Sequence, residues 1–205
     1  QLTDLPGLYS LTLTEGLSLD EHIAAEAIVD LHPDCIINVI DACHLERHLY
    51  LTSQILELGK PVIIALNMVD VAKQRGIAID IPALEKQLNC PIIALQAHKA
   101  IGISDLLQAL NKVPKIPGPL SLSLSQPVVS ILKLVESHYL TKGYTAPLAF
   151  YFANRLAEGS LHTLDDRLIQ EALAKKNIQP GLDILLADAR YQKIHTVVTA
   201  VQHKR

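Results

Sequence analysis

The first place in this sequence where residue types and spacing could do chemistry is an apolar run that ends in an amide and a carboxylate. Pro61 to Leu66 are apolar and lead directly into Asn67-Met68-Val69-Asp70. A short, continuous apolar run predicts a strand buried on both faces of a parallel sheet. Ligands of open parallel sheets collect at the carboxyl ends of the strands. Asn67 offers an amide there, and Asp70 offers two acceptor oxygens. An acceptor-only carboxylate suits a planar ring that presents two adjacent N–H donors, as guanine does with N1–H and N2–H₂. The same four residues also describe a plain turn held by Asx caps, so this stretch alone leaves both readings open.

Two more segments have comparable positions. Leu2-Thr3-Asp4-Leu5-Pro6-Gly7 reads as a strand end followed by a turn. Its plain reading is a Pro-Gly turn with an Asp beside it. Its functional reading is a resemblance to the Asp-x-x-Gly box of GTPases, which implies an Asp that holds Mg²⁺ through a water and a Gly whose backbone can approach a γ-phosphate because it carries no side chain. Gln96-Ala97-His98-Lys99 follows the apolar run from Cys90 to Leu95. It stands in the place of the Ser-Ala-Lys box of GTPases, a resemblance that implies a backbone amide contacting a base oxygen.

The elements that must position these segments alternate. A helix is expected over Leu19 to Leu31, with Ser18 as cap and Asp20 and Glu21 in its first turn. Leu8 to Gly16, before it, reads as a mobile loop. A buried strand is expected over Asp34 to Ala42, then an amphipathic helix over His44 to Leu58. On that helix Leu45, Leu49, Thr52 and Leu56 share one face, and Glu46, Arg47 and Gln54 lie off it. Gly59 is placed to cap it, and Pro61 prevents its continuation. After the strand ending at Leu66 come a short helix from Val71 to Arg75, stopped by Gly76, and another from Ala83 to Leu88 with Asp80 and Pro82 at its start. The strand over Cys90 to Leu95 and a helix over Gly102 to Leu110 complete an alternating pattern, which predicts parallel strands with right-handed crossovers.

Beyond Lys112 to Pro119, a stretch with three prolines and a glycine, the character changes. Helical spacing continues over Gln126 to His138, Ala146 to Ala157, Asp165 to Lys175 and Leu182 to Val201, with no strand expected. The last helix is read as starting at Gln179-Pro180-Gly181 and as ending in positive charge at His203, Lys204 and Arg205. Asp165-Asp166 read as a cap and Lys175-Lys176 as exposed surface. These helices are expected either to bundle on their own or to cover one face of the α/β part.

Composition narrows the class. The chain has 205 residues, 49% of them hydrophobic and 19% charged, so it can bury a core. A net charge of −3 gives no sign of nucleic acid as a partner. Three cysteines without a CxxC spacing read as reduced thiols. No apolar run reaches the roughly 20 residues that a membrane span needs. The chain opens on Gln1 inside an expected strand, as part of a longer protein would. Among nine histidines, His44 and His48 stand i, i+4 on a helix, where a solvated face is the plainer reading than a metal pair.

In order, the three strand-end segments stand in the places of the GTPase boxes Asp-x-x-Gly, Asn-Lys-x-Asp and Ser-Ala-Lys, with Met68 for the Lys of the second and only Ala97 shared with the third. The wording is narrower still. Asp4-Leu5-Pro6-Gly7-Leu8-Tyr9-Ser10-Leu11, Asn38-Val39-Ile40-Asp41-Ala42, Leu45 to Thr52, Leu56-Glu57-Leu58-Gly59 and Ala65 to Asp70 resemble the cytosolic G-protein-like region of the ferrous-iron transport protein B (FeoB) family. Met68 in place of the usual Lys, and Ala187-Asp188-Ala189-Arg190-Tyr191 in the last helix, are similar to that family as well.

The resemblance implies an α/β fold: an incomplete Ras-like P-loop GTPase sheet over residues 1–113, a linker at 114–125, and an all-α, GDI-like subdomain over 126–205 that leads toward a membrane part. It implies GTP or GDP and Mg²⁺ as ligands. The nucleotide-binding residues it carries over are Asp4, Leu5, Pro6, Gly7, Asn67, Met68, Val69, Asp70, Gln96, Ala97 and His98, with Asp4 also serving Mg²⁺ through a water. It implies the permease domain of the same protein as partner, a place at the cytoplasmic face of the inner membrane, and coupling of nucleotide state to Fe²⁺ uptake. A homo-oligomer is left open. Leu8 stands where Ras-type proteins place a water-orienting Gln, so hydrolysis in the parent protein is expected to be slow. The rivals are another guanine-nucleotide-binding protein and a non-catalytic interaction module.

A GxxxxGKS/T phosphate loop does not occur in these residues. The only Gly-Lys is Gly59-Lys60, at a helix end. That loop's amides and Lys supply most of a phosphate cradle. The 205 residues are therefore expected to show no tight binding, and no activity, when titrated with a fluorescent GTP analogue. Sub-micromolar affinity would overturn this expectation.

Overall fold

The structure, a computed structural model, describes residues 1–8, 10–11, 27–28, 30–112, 114–159 and 181–204. Most of the loop expected over Leu8 to Gly16, most of the helix expected over Leu19 to Leu31 with its Ser18 cap, the helix over Asp165 to Lys175, Lys176, Gln179-Pro180 and Arg205 lie outside the described residues.

The apolar run forms the central strand of a parallel sheet. Strand β1 spans Ile36–Asp41, β2 Val62–Asn67 and β4 Ile92–Ala94, in the order β1-β2-β4. The register sets Asp41 beside Asn67 and Leu66 beside Ala94, so all three strands end at one edge. Val62 to Leu66 of β2 are fully buried, which is why five successive apolar residues are needed there rather than an alternation.

Asp41 turns the chain from β1 into a 3₁₀ turn, Ala42–His44, by accepting the Cys43 N–H at 2.7 Å. Helix α1, Leu45–Ile55, follows and tightens into a second 3₁₀ turn, Leu56–Leu58. Gly59 ends it at φ +64°, and a Cβ there would collide with Pro147. After β2 come α2 (Val69–Gln74), β3 (Ile77–Ile79) and α3 (Ile81–Leu88). Asp80 caps α3 by accepting the Ala83 N–H at 3.0 Å. Beyond β4 lies α4, Ile103–Asn111. Residues 114–125 carry neither helix nor strand. Helices α5 (Gln126–Thr141), α6 (Ala146–Ala157) and α7 (Leu182–Val201) then complete the chain with strand β5, Gln202–Lys204.

Both expectations for the helices hold in part. Val128, Ile131, Leu132 and Val135 of α5, with Ala149, Ala153 and Leu156 of α6 and Leu182 and Leu186 of α7, make a separate core. The far half of α7, through Ile194, Val197, Val198 and Val201, joins the core of the sheet. A helix of about 30 Å can serve both.

Three readings need correction. Residues 1–8 are not a strand; a strand exists by its ladder, and no described strand lies beside them. The chain after α7 is not a charged helix end but strand β5, antiparallel to the unforeseen β3, with Ile77 opposite Lys204 and Ile79 opposite Gln202. The Val201 carbonyl, at the helix end, accepts the Asp80 N–H at 2.8 Å, so backbone pairing and not side-chain charge satisfies it. Finally, Gln54 does not face solvent but is fully buried.

Its surroundings explain that burial. Glu57, Glu158, Arg155 and Arg190 are all buried and alternate in charge around a ring. Arg190 reaches Glu57 at 2.7 Å and Glu158 at 2.9 Å, and Arg155 reaches Glu158 at 2.8 Å and Glu57 at 3.1 Å. Arg190 also donates to Ser53 Oγ at 2.9 Å. Gln54 Nε2 donates to Glu158 at 3.4 Å, while its Oε1 accepts the Leu11 N–H at 2.6 Å and the Ser10 hydroxyl at 3.1 Å.

Removing one charge from such a ring leaves its partners buried and unpaired, at a cost of about 3–5 kcal/mol. Arg190→Met is therefore expected to lower unfolding free energy by about that much in urea titration, and the Glu57→Gln/Arg190→Met double variant by less than the sum of the singles. Additive losses would show that the ring does not act as a unit.

Candidate nucleotide-base site

The carboxyl edge of the sheet brings two of the three predicted segments together. Asn67 ends β2, and the Ala97–Lys99 3₁₀ turn follows β4. The ladder continues one residue past β4, since the Leu95 N–H donates to Leu66 O at 2.7 Å. This places Asn67 Oδ1 to accept the Ala97 N–H at 3.1 Å. Asn67 therefore holds the second loop to the first.

Met68 turns the chain at φ +61° and is partly exposed. Val69 N–H points to Leu95 O at 3.5 Å. Asp70 stands in the first turn of α2. Gln96 pairs with Ile101 across the turn, through N–H···O bonds of 3.1 and 3.3 Å. The loop then leaves through Gly102 at φ +85°, where a Cβ would collide with the Ala94 carbonyl.

The electrostatics centre on Asp70. Its side chain is 15% exposed, and its Oδ2 faces Lys99 Nζ at 3.1 Å and His98 Nε2 at 3.5 Å. Lys99 Nζ also reaches Gln96 Oε1 at 3.4 Å. The Lys99 hydrogen bond, with the Val71 backbone N–H and the charges of Lys99 and His98 behind it, holds the Asp70 carboxyl below the usual carboxylate range against the opposing effect of burial. Asp70 Oδ1 is shielded and has no hydrogen-bond partner. A shielded carboxylate oxygen without a donor fits a group that supplies N–H from outside the chain.

The Asp4 to Gly7 segment is anchored differently. Leu5 and Leu8 rest on the sheet core, and the chain just beyond is tied to Gln54 through Ser10 and Leu11. Asp4, Pro6 and Gly7 are exposed. Among the described residues a Cβ on Gly7 would meet nothing within 4 Å, so packing against them does not require glycine there. A single exposed carboxylate at Asp4 suits a cation that keeps its waters, as Mg²⁺ does.

His44 and His48 serve other ends: His44 bonds to Asp41 at 2.8 Å, and burial lowers the His48 pKa. Among the described residues no three His, Cys, Asp or Glu side chains gather as a metal cluster. The residue that sequence reading left out of the site is Lys99. Its signal was present, as a cation closing the turn opposite an acid in the other loop.

A parallel α/β sheet with Asn-x-x-Asp and Gln-Ala-His turns bonded to each other at its carboxyl edge, followed by a helical subdomain, is the architecture of a G domain with an appended helical domain. The family model described as ferrous iron transport protein B matches residues 1–110, and the chain belongs to that family. The Fe(2+) transporter FeoB of Legionella pneumophila (strain Paris) is 54% identical over 206 residues, covering 100% of this chain and 27% of the relative. That of Escherichia coli (strain K12) is 36% identical over 213 residues, covering 98% and 27%.

The chain thus spans about a quarter of the length of these relatives. Among solved structures, the cytosolic domain of L. pneumophila FeoB matches with a TM-score of 0.90 and 53% identity, covering 98% of this chain and 79% of that one. The cytosolic domain of the T. maritima FeoB transporter in its GMPPNP form matches with a TM-score of 0.80 and 27% identity, with coverage of 98% and 79%. Among the described residues no helix is long and apolar enough to cross a membrane.

NMR titration of Asp70 is expected to give a midpoint below the ~3.9 of an ordinary aspartate, and Lys99→Met should raise it. Because the folded-state value is the lower one, the pair's contribution to stability is present above about pH 4 and is lost as pH falls through the lowered midpoint. An unshifted Asp70 would refute the ion pair in solution.

Proposed function

We propose that this chain is the guanine-nucleotide-binding regulatory region of a ferrous iron transporter, acting on the cytosolic side and coupling nucleotide state to Fe²⁺ uptake. The observation that carries the base assignment is the shielded, unpartnered Oδ1 of Asp70, at a strand end whose loop is bonded to a second loop. In this reading Asp70 accepts from guanine N1–H and N2–H₂. Asn67 holds the 97–99 turn and faces the ring, and the Ala97 amide lies beside the position of the base oxygen. Met68, Val69, Gln96 and His98 shape the walls.

Asp4 serves Mg²⁺ through a water, and Gly7 lets the backbone approach a γ-phosphate, with Leu5 and Pro6 setting its turn. The absence, among the described residues, of any packing reason for glycine at position 7 supports that role. GTP hydrolysis in the whole protein is slow in this reading, because Leu8 offers no group to orient a water.

The FeoB relatives support the transporter context. The solved T. maritima relative in its GMPPNP form supports a guanine nucleotide as ligand. Residues 126–205 act as the helical domain that passes the nucleotide state toward the permease domain of the same protein.

In the full-length protein, Asp70→Asn is expected to shift preference from GTP toward XTP. A site built to hydrogen-bond a ring edge discriminates by ~10⁴-fold in favourable cases, so a change of at least about a hundredfold in the GTP/XTP affinity ratio should be measurable by competition binding. An unchanged GTP affinity would overturn the assignment of Asp70.

A further inference from the structure

We propose that Lys99 is the internal counter-ion that closes the base site when no nucleotide is bound, and that guanine must displace it to enter. This rests on the reading of Asp70 as the base-specificity residue. A guanine edge brings two donors and needs both carboxylate oxygens. Asp70 Oδ1 stands ready, shielded and without a partner. Oδ2 does not: Lys99 Nζ lies 3.1 Å from it and His98 Nε2 3.5 Å. The chain's own cation thus holds the oxygen that the second ring donor requires.

The two partners differ in how well they tolerate separation. Asp70 is only 15% exposed, whereas the Lys99 side chain is 51% exposed. Without nucleotide and without Lys99, a mostly covered carboxylate would keep only His98, 3.5 Å away, as a counter-charge. Lys99, by contrast, can return its ammonium to water at little cost.

The local backbone allows such a swing. The turn that carries Lys99 is pinned at its root by the Asn67–Ala97 bond and at its ends by the Gln96–Ile101 pair. The side chain can therefore leave Asp70 without loosening the loop. Gln96 Oε1, 3.4 Å from Nζ, already offers it a second partner. A contact made only in the empty state stabilises that state and so weakens ligand affinity. Lys99 in this view sets how readily guanine nucleotide binds and leaves, without touching the bound base.

The test uses the full-length protein and a fluorescent GDP analogue. Lys99→Met is expected to tighten GDP binding by about two- to fivefold, the range of an exposed ion pair. The gain should shrink as salt rises toward ~0.5 M, and Lys99→Arg should restore wild-type affinity. In an Asp70→Asn background, where no carboxylate charge remains, adding Lys99→Met should leave XDP affinity unchanged. If Lys99→Met leaves GDP affinity unchanged or weakens it, while Asp70→Asn still abolishes GDP preference, the counter-ion proposal fails and the base assignment stands. If Asp70→Asn itself leaves GDP affinity unchanged, the underlying base assignment is what fails.

Discussion

The ring of Glu57, Arg155, Glu158 and Arg190 is the constraint on which the relation between the sheet and the helices depends. Two cations and two anions sit out of reach of water, and each is tolerable only because the others are within about 3 Å. Burial alone would lower the Arg190 pKa, but Glu57 and Glu158 more than offset this and keep the guanidinium charged. Since the members come from the end of α1, the end of α6 and the middle of α7, those elements have one register in which all charges are paired. Hydrophobic contact alone tolerates sliding, and a closed ring of directional bonds does not. The Arg155 and Arg190 guanidinium groups also lie over Tyr151 and Tyr50, at 5.4 and 5.8 Å from the ring centroids.

From that ring two routes lead to the candidate site. Through Gln54, the ring is bonded to Ser10 and Leu11, just past the Asp4 to Gly7 segment. Through α7, it is continuous with β5, which pairs with β3, and β3 follows directly on α2, whose first turn holds Asp70. The segment read as phosphate-facing and the loop read as base-facing therefore join the helical subdomain by different means: side-chain hydrogen bonds for one, a backbone ladder for the other. A helix that leaves the G domain only through flexible residues could not report on either. Here α7 is attached at its middle by charge and at its end by a strand pair.

Much of this was legible in the sequence. The five buried residues of β2, the Gly59 stop, the Asp80 cap and the bounds of α6 and α7 follow from local rules: apolar run length, left-handed glycine, side-chain capping and helical period. These are decided by near neighbours, so one segment at a time suffices. The groups of the candidate site were legible as well, because Asn67, Asp70 and Ala97 sit at fixed offsets from strand ends.

What the sequence alone determined, then, is the alternating architecture, the strand ends and the identity of the groups placed on them. Tertiary structure decided which of those groups meet. Gln54 read as lying off the apolar face of an amphipathic helix, and it became core beside Glu57 and Glu158, whose burial Arg155 and Arg190, far along the chain, make possible by bringing compensating charge. His203 and Lys204 read as part of a charged helix tail, and with Gln202 they became a strand because β3 offered unpaired backbone groups beside them. Lys99 read only as the end of the segment after the last strand, and it became the partner of Asp70 because the parallel register of β2 and β4 set the two loops side by side. In each case the deciding energy is a pairing between residues distant in sequence, which no local pattern encodes.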